Sequence, residues 1–423
     1  MTCVESRDAI TVVAAANVPT PAYVYDLDAI ERAADELERA FDGAPHGVFY
    51  AVKANSAGSI VRALASRGFG ADVVTGAELL LASRCGIGAD AIVYSGVAKS
   101  DEELDFAVSA GPRGIRAIQI ESVEEIARVD ARARASNRVA RVAIRVNPGI
   151  ELEELDTHAH VATGHDEAKF GVAKEDLADA LAAIEASEHV ALVGISSHVG
   201  SQFFVTTPYV AAARAACAIA REVRAKTPLE FVDTGGGFGV DYSGREHAKP
   251  ADFVRAALAV MKEERVADLA LHVEPGRALV ARMGILVARV IQRKASRSGK
   301  RWLMIDAGMN DLIRPALYQA KHRVVASDVT PVPGAPARVV PQRVVGPICE
   351  SADDFGEHSL PERGFDHVAI LDAGAYGFTM ASRYNGRAIA SEVFLRTENG
   401  EKRVVSVVPR APIEAWADER AKA

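Results

Sequence analysis

An α/β chain, with a TIM (β/α)8 barrel followed by a mostly-β domain, is the fold class this sequence predicts. Three observations carry it. Between about residues 48 and 275, short β-branched runs alternate with alanine-rich stretches of helical spacing. The runs number eight, which is the count that closes a TIM barrel, and they are nearly continuously apolar, as parallel strands covered on both faces are. After about residue 280 the texture changes and long alanine-rich helices disappear.

The strand runs are 48–52, 69–74, 91–95, 115–120, 139–146, 191–198, 229–233 and 269–274, with helix candidates at 56–67, 76–85, 101–110, 122–135, 175–186, 208–226 and 250–263. A doubly wound open sheet also alternates in this way, so the count leaves two topologies open. Beyond residue 280, "MGILVARVIQRKA", "KRWLMIDAG", "ARVVPQRVVGP" and "HVAILDAGAYG" are strand-like runs broken by Gly, Pro and Asp. The strand-like "AYVYD" near residue 22 precedes the barrel and is expected to join the β domain. The expected organisation is therefore 1–45 as an N-terminal segment of the β domain, 46–283 as the barrel and 284–423 as the C-terminal β domain. The terminal "ADERAKA" reads as a frayed end.

Composition narrows the function. With 49% apolar and 25% charged residues the chain is an ordinary globular one, and a net charge of −8 argues against nucleic-acid or anionic-membrane surfaces. No apolar stretch is long enough to span a bilayer, and the N-terminus is a poor signal peptide. The four cysteines, Cys3, Cys85, Cys217 and Cys349, are scattered without metal or disulfide spacing, so no metal site is expected and a reducing cytoplasm is the expected location.

Catalytic groups of a TIM barrel sit at the C-terminal ends of its strands. The polar residues at the C-terminal ends of these runs include Lys53, Asp72, Asn147, His198, Asp233 and Glu274. "FYAVKANS" (49–56) is the sharpest case, because Lys53 ends an apolar run where an ordinary surface lysine has polar neighbours. Each residue alone has a plainer explanation: a histidine ending a strand is more often a satisfied core residue, and a rim lysine a solvated charge. "TGGGFG" (234–239) after the seventh strand, with Gly276 and Arg277 after the eighth, suits backbone approach to a phosphate, although glycines also serve tight turns. The spacing is not that of a dinucleotide fingerprint. A phosphate grip, a reactive lysine and a carboxylate without a metal cluster point to pyridoxal 5'-phosphate (PLP), which needs a lysine and a partner for its ring nitrogen.

The sequence resembles the fold-type III, PLP-dependent amino-acid decarboxylases, most closely the diaminopimelate-cleaving branch, over about residues 20–400. The motifs are "YAVKAN" (50–55), "HVGSQ" (198–202), "DTGGGFG" (233–239), "EPGR" (274–277), "AGMNDLIRPALY" (307–318), "GPICESAD" (346–353) and "GAYGFTMASRYN" (374–385). The resemblance implies that Lys53 carries the cofactor covalently, with burial at the barrel mouth favouring the free amine. It implies that His198 stacks on the ring, that Ser201, Gly237, Gly276 and Arg277 surround the phosphate beside Pro275, and that Glu274 pairs with the pyridine nitrogen. The similar-looking alanine racemases place an arginine in that last role. Asp72 is a candidate to stand behind Lys53.

For the β domain, the resemblance implies that Cys349 is the proton donor and that Glu350 holds the distal ammonium of the substrate. Arg314 and Tyr318, with Arg277, match groups that hold the distal carboxylate, and Tyr376 matches a residue touching both cofactor and substrate. The implied activity is decarboxylation of meso-2,6-diaminopimelate at its D-centre to L-lysine and carbon dioxide, by a homodimer with shared active sites. Decarboxylation of another basic or carboxylated diamine amino acid, and PLP binding without catalysis, are the alternatives. There are three departures from the pattern: within 147–171 a stretch a few residues longer between "NPG" and Thr157-His158, Ala352 where glycine is common, and Arg383 where asparagine is common.

Overall fold

The computed structural model describes residues 6–149, 168–242, 247–327 and 338–422. Helix α1 (Ser6–Ala15), strand β1 (Ala22–Asp26) and helix α2 (Leu27–Glu38) come first. The barrel strands come next: β2 (His46–Ala51), β3 (Gly70–Val73), β4 (Ile92–Tyr94), β5 (Ala117–Ile120), β6 (Ala140–Arg145), β7 (Val190–Ser196), β8 (Phe231–Asp233) and β9 (Ala270–Val273). They close a parallel barrel in chain order, with β9 returning to pair with β2, so the open-sheet alternative is excluded. The connecting helices are α3 (Gly58–Ala65), α4 (Gly76–Arg84), α5 (Asp101–Ser109), α6 (Val123–Ala135), α7 (Leu177–Glu185), α8 (Thr207–Val223) and α9 (Pro250–Glu263). Their starts are set locally: Ser100 accepts from the Glu103 amide while the Glu103 carboxylate takes the Ser100 amide, a reciprocal cap before α5.

Inside the barrel, His272 lies on Phe231 with ring centroids 3.9 Å apart and against Phe49 at 4.6 Å. Burial drives its pKa well down, so it is a neutral core residue.

The remaining elements are α10 (Arg277–Val280), β10 (Gly284–Ala295), β11 (Arg301–Ile305), α11 (Arg314–Tyr318), β12 (Val324–Ala326), β13 (Val339–Val345), β14 (Asp354–Pro361), β15 (His367–Ile370), β16 (Ser391–Glu398), β17 (Glu401–Val408) and α12 (Glu414–Ala421). Nine strands form one sheet, ordered β14-β13-β11-β10-β1-β16-β17, with β15 joined to β10 and β12. The expectation for "AYVYD" holds: β1 runs antiparallel to β10 and parallel to β16, with every residue buried. Helix α1 lays Ala9, Ile10 and Val13 on Val24, Ile285, Val287, Val393 and Leu395. A fully buried Ile or Val side chain such as these contributes about 1.5–3 kcal/mol.

The chain divides into two units. One is the barrel, from Ala33 to Asp241 and from 247 to Ala278; the other is the β-rich unit, which takes the described residues up to Arg32, Tyr242, and everything described from Leu279 onward.

The frayed end expected for "ADERAKA" is corrected. Residues through Ala421 are helical, and Arg383 Nη1 donates to Glu419 Oε2 at 2.5 Å. Of the long 147–171 stretch, residues 150–167, with Thr157 and His158, lie outside the described residues.

Candidate active site

Strand β2 stops at Ala51, and a single 3-10 turn over Val52–Ala54 sets Lys53 at the barrel rim. The register pairs Ala51 with Asp72 of β3, which brings the Lys53 turn beside the Asp72 side chain. Lys53 Nζ donates to Asp72 Oδ2 at 2.7 Å. Asp72 is fully buried, whereas the Lys53 side chain is 34% exposed. Lys53 is thus partly shielded, with its amine against the Asp72 carboxylate.

Two more carboxyl groups crowd the same mouth. Asp233 ends β8 and its Oδ1 accepts from the Gly235 amide at 2.8 Å. Burial pushes the Asp233 pKa up to about 7, and the Asp72 charge adds to the rise. Glu274 comes directly after β9, where Ser95 Oγ lies 3.4 Å from Oε1. Burial drives the Glu274 pKa well above the carboxylate range, with the neighbouring charges of Asp233 and Asp72 next in size.

His198 faces this group, with Nδ1 3.7 Å from Glu274 Oε2. The Gly236 amide donates to the same Nδ1 at 3.2 Å, so the ring proton belongs on Nε2. Burial, then the charges of Arg145 and Lys53, hold the imidazole neutral. Its backbone is pinned as well. Arg145 donates to the His198 carbonyl at 3.0 Å and to Glu121 at 2.9 Å, and Glu121 also accepts the Gly96 and Gly171 amides. Asn147, by contrast, holds loop backbone at Gly149 and Phe170.

The glycine loop lies where the chains after β7, β8 and β9 converge. A side chain at Gly236 would put its Cβ 2.0 Å from the Glu274 carbonyl oxygen. At Gly237 (φ 86°) the Gly200 carbonyl would be 2.3 Å away. Arg277, buried beside them, donates to Ser201 Oγ at 3.1 Å. The Ala51 amide donates to the Pro275 carbonyl at 3.0 Å, tying the Lys53 turn to the Pro275–Gly276 corner.

These residues fit PLP. Asp72, Asp233 and Glu274 are buried acids with Lys53 and Arg145 as the cations acting on Glu274, and the raised pKa of Glu274 marks a site that a protonated ring nitrogen would relieve. A neutral imidazole suits a ring face, and glycine amides with Arg277 suit a phosphate. Among the described residues no His, Cys, Asp and Glu grouping could hold a metal ion.

The other predicted residues lie on the β-rich unit. Tyr23 of β1 donates its hydroxyl to the Asp311 carbonyl at 2.6 Å, fixing the loop that leads to Arg314. The buried Arg314 Nη1 lies 3.0 Å from Tyr242 Oη and 3.0 Å from His322 Nε2. His322 Nδ1 is 2.9 Å from the Leu371 carbonyl, so Nδ1 carries the proton and Nε2 accepts from the guanidinium. Tyr318 ends α11 and is half-buried. Tyr376, also half-buried, holds a left-handed backbone at φ 54°. Cys349 and Glu350 are exposed yet tethered: Asn385 Oδ1 accepts the Cys349 amide at 3.2 Å, and the Tyr384 hydroxyl donates to Glu350 Oε1. That last bond raises the Tyr384 pKa. Tyr242, His322, Tyr384 and Asn385 were not singled out from the sequence, although Tyr384 and Asn385 lie inside the last motif.

Comparison with known proteins bears on the fold and the cofactor. Residues 27–281 match the family described as "Pyridoxal-dependent decarboxylase, pyridoxal binding domain". The chain belongs to the pyridoxal-dependent decarboxylases. Its named relatives narrow the class. It is 38% identical over 384 residues, 89% of this chain and 88% of the relative, to the diaminopimelate decarboxylase of Archaeoglobus fulgidus. The solved diaminopimelate decarboxylase of Helicobacter pylori, complexed with L-lysine, superposes with a TM-score of 0.86 at 35% identity, covering 96% of this chain and 97% of that one. That of M. jannaschii, also with L-lysine, gives 0.88 at 30% identity, covering 99% and 96%.

The acid cluster has a pH consequence. Asp233 binds its proton more tightly folded than unfolded, so its contribution to stability falls as pH rises from about 4 to about 7. In protein stripped of PLP, the melting temperature of Asp233→Asn should gain on wild type as pH climbs through that window. Parallel curves, measured by thermal denaturation, would show that Asp233 is not proton-bound in the fold.

Proposed function

We propose that this chain decarboxylates meso-2,6-diaminopimelate at its D-centre, giving L-lysine and carbon dioxide. The observation that carries the reading is Glu274, buried among acids at the mouth that Lys53 opens on. The names of the relatives, and the L-lysine in two solved structures among them, supply the substrate and product.

Lys53 would hold the cofactor covalently, His198 would lie on its ring face and Glu274 at its nitrogen, with Ser201, Gly237, Pro275, Gly276 and Arg277 at its phosphate. Bound there, PLP supplies an electron sink for the pair left behind when carbon dioxide departs. Glu274 serves it as a carboxylate, because a full negative charge holds a ring proton that an amide would not. His198, held neutral, presents a flat uncharged face and does not compete for that charge.

The carbon that loses its carboxylate must gain a proton, and Cys349 Sγ is the donor in this reading. Glu350 binds the distal ammonium, held by Tyr384. Arg314 and Tyr318, with Arg277, bind the distal carboxylate, and Tyr376 touches substrate and cofactor. Arg314 is suited to this because Tyr242 and His322 leave a planar, pre-oriented guanidinium.

A homodimer with shared sites completes the proposal: each site takes Lys53 from one chain and Cys349 from its partner. The exposure of Cys349 and Glu350, combined with their tethering by Asn385 and Tyr384, supports a surface that another chain covers. An exposed thiol that must stay free also suits a reducing cytoplasm.

The direct test incubates the PLP-loaded protein with meso-diaminopimelate and measures lysine. Turnover should be abolished in Lys53→Ala. In Arg314→Ala, kcat/KM should fall tenfold or more, since a charge-assisted contact is worth about 1.5–3 kcal/mol. No lysine from wild type would reject the activity, and an unchanged Arg314→Ala would reject the carboxylate role.

Sharing of sites is checked by mixing Lys53→Ala with Cys349→Ala under conditions of chain exchange. Half the dimers become hybrids, each with one intact site, so activity should return to about one quarter of wild type. If sites lay within one chain, exchange would restore nothing.

A further inference from the structure

Gln202 carries a side chain that no step above uses, on a backbone that resists it. Its φ of 73° lies in the left-handed region, which a residue with a Cβ enters only when its surroundings hold it there. A two-point bond holds it: Gln202 Nε2 donates to the Val240 carbonyl at 3.0 Å, and the Val240 amide donates to Gln202 Oε1 at 2.9 Å. Side-chain amide and backbone amide thus pair as two strands would. The pairing continues a short backbone ladder. Phe203 N donates to the Gly237 carbonyl at 3.0 Å, Gly239 N to the Phe203 carbonyl at 2.9 Å, and Ala248 N to the Phe204 carbonyl at 3.0 Å.

The ladder joins the loop after β7, which carries Ser201, to the loop after β8, which carries Gly235 to Gly239. No side chain fits at Gly237, since the Gly200 carbonyl lies 2.3 Å from where its Cβ would be. Arg277 reaches Ser201 from the third loop. One rung of this ladder is made by a side chain, and it sits one residue from Ser201.

We infer that Gln202 is a positioning residue for the phosphate cradle, its amide docking on Val240 to set the spacing between Ser201 and the glycine amides. The inference rests on the reading of this loop cluster as the grip on the PLP phosphate. Gln202 touches the phosphate only through the groups it positions.

The test titrates apo protein with PLP and with pyridoxal, which has the same ring and aldehyde but no phosphate. Wild type, Gln202→Met, Gln202→Gly and Gly237→Ala are compared. Met keeps the length and loses both bonds; Gly loses both bonds but frees the backbone. Both Gln202 variants should bind PLP roughly tenfold more weakly, as two lost hydrogen bonds imply, with pyridoxal changed less than about threefold. The 31P resonance of bound PLP should shift in both. Retained pyridoxal binding shows that a variant has folded. An unchanged PLP-to-pyridoxal ratio in both Gln202 variants, whether neither affinity moves or both fall together, overturns the assignment. Normal PLP binding by Gln202→Gly alone also overturns it, because backbone freedom would then replace the amide. Gly237→Ala tests the underlying reading separately: if it leaves the ratio unchanged, this loop does not hold the phosphate at all.

Discussion

The crowding of Asp72, Asp233 and Glu274 at one barrel mouth is the constraint on which the site depends. Burying carboxyl groups together is costly, and the cost appears as the raised pKa values of Asp233 and Glu274. Lys53 offsets Asp72 directly and is kept at the water's edge in doing so. Glu274, deeper and beside Asp233, gains from a cation brought in with the cofactor. The neutral His198 fits the same balance: the imidazole lies under the rim with Arg145 and Lys53 nearby, so a further positive charge there is disfavoured. Glycine loops and Arg277 then take the anionic end of the same molecule. A single bound group with a cationic ring nitrogen and an anionic phosphate answers both sets of residues.

The fold delivers these groups through register. Ala51 opposite Asp72 on β2 and β3, and Asp233 opposite His272 on β8 and β9, bring the rim side chains together without long loops. The Glu121–Arg145 pair extends the effect to backbone, gathering Gly96, Gly171 and the His198 carbonyl. On the β-rich unit, β1 plays the corresponding part, since it lies inside the sheet and its Tyr23 anchors the loop before Arg314.

The barrel was legible in the sequence because parallel strands buried on both faces leave unbroken apolar runs, and each rim residue lies at the end of one. The residues that went unread are those whose meaning lies in distant partners. Nothing local marks Tyr242 and His322 as the braces of Arg314, or Asn385 as the tether of Cys349. The helix at Glu414–Ala421 was missed for a related reason: none of its residues is buried, so it carries no apolar stripe. The β16–β17 hairpin did carry a local signal, Asn399-Gly400 with both φ values positive, which suits a tight turn. Lys53 stands at the rim where its strand end puts it, but a strand end does not reveal how far its four-carbon side chain reaches or that Asp72 meets it there.

The central claim is that Glu274, as a buried carboxylate, keeps the ring nitrogen of bound PLP protonated. Loading the protein with 15N-labelled PLP and recording the pyridine nitrogen resonance reads this without relying on turnover. Wild type should show a protonated nitrogen near neutral pH, and Glu274→Gln, with PLP still bound, an unprotonated one. An equally protonated nitrogen in Glu274→Gln would contradict the account.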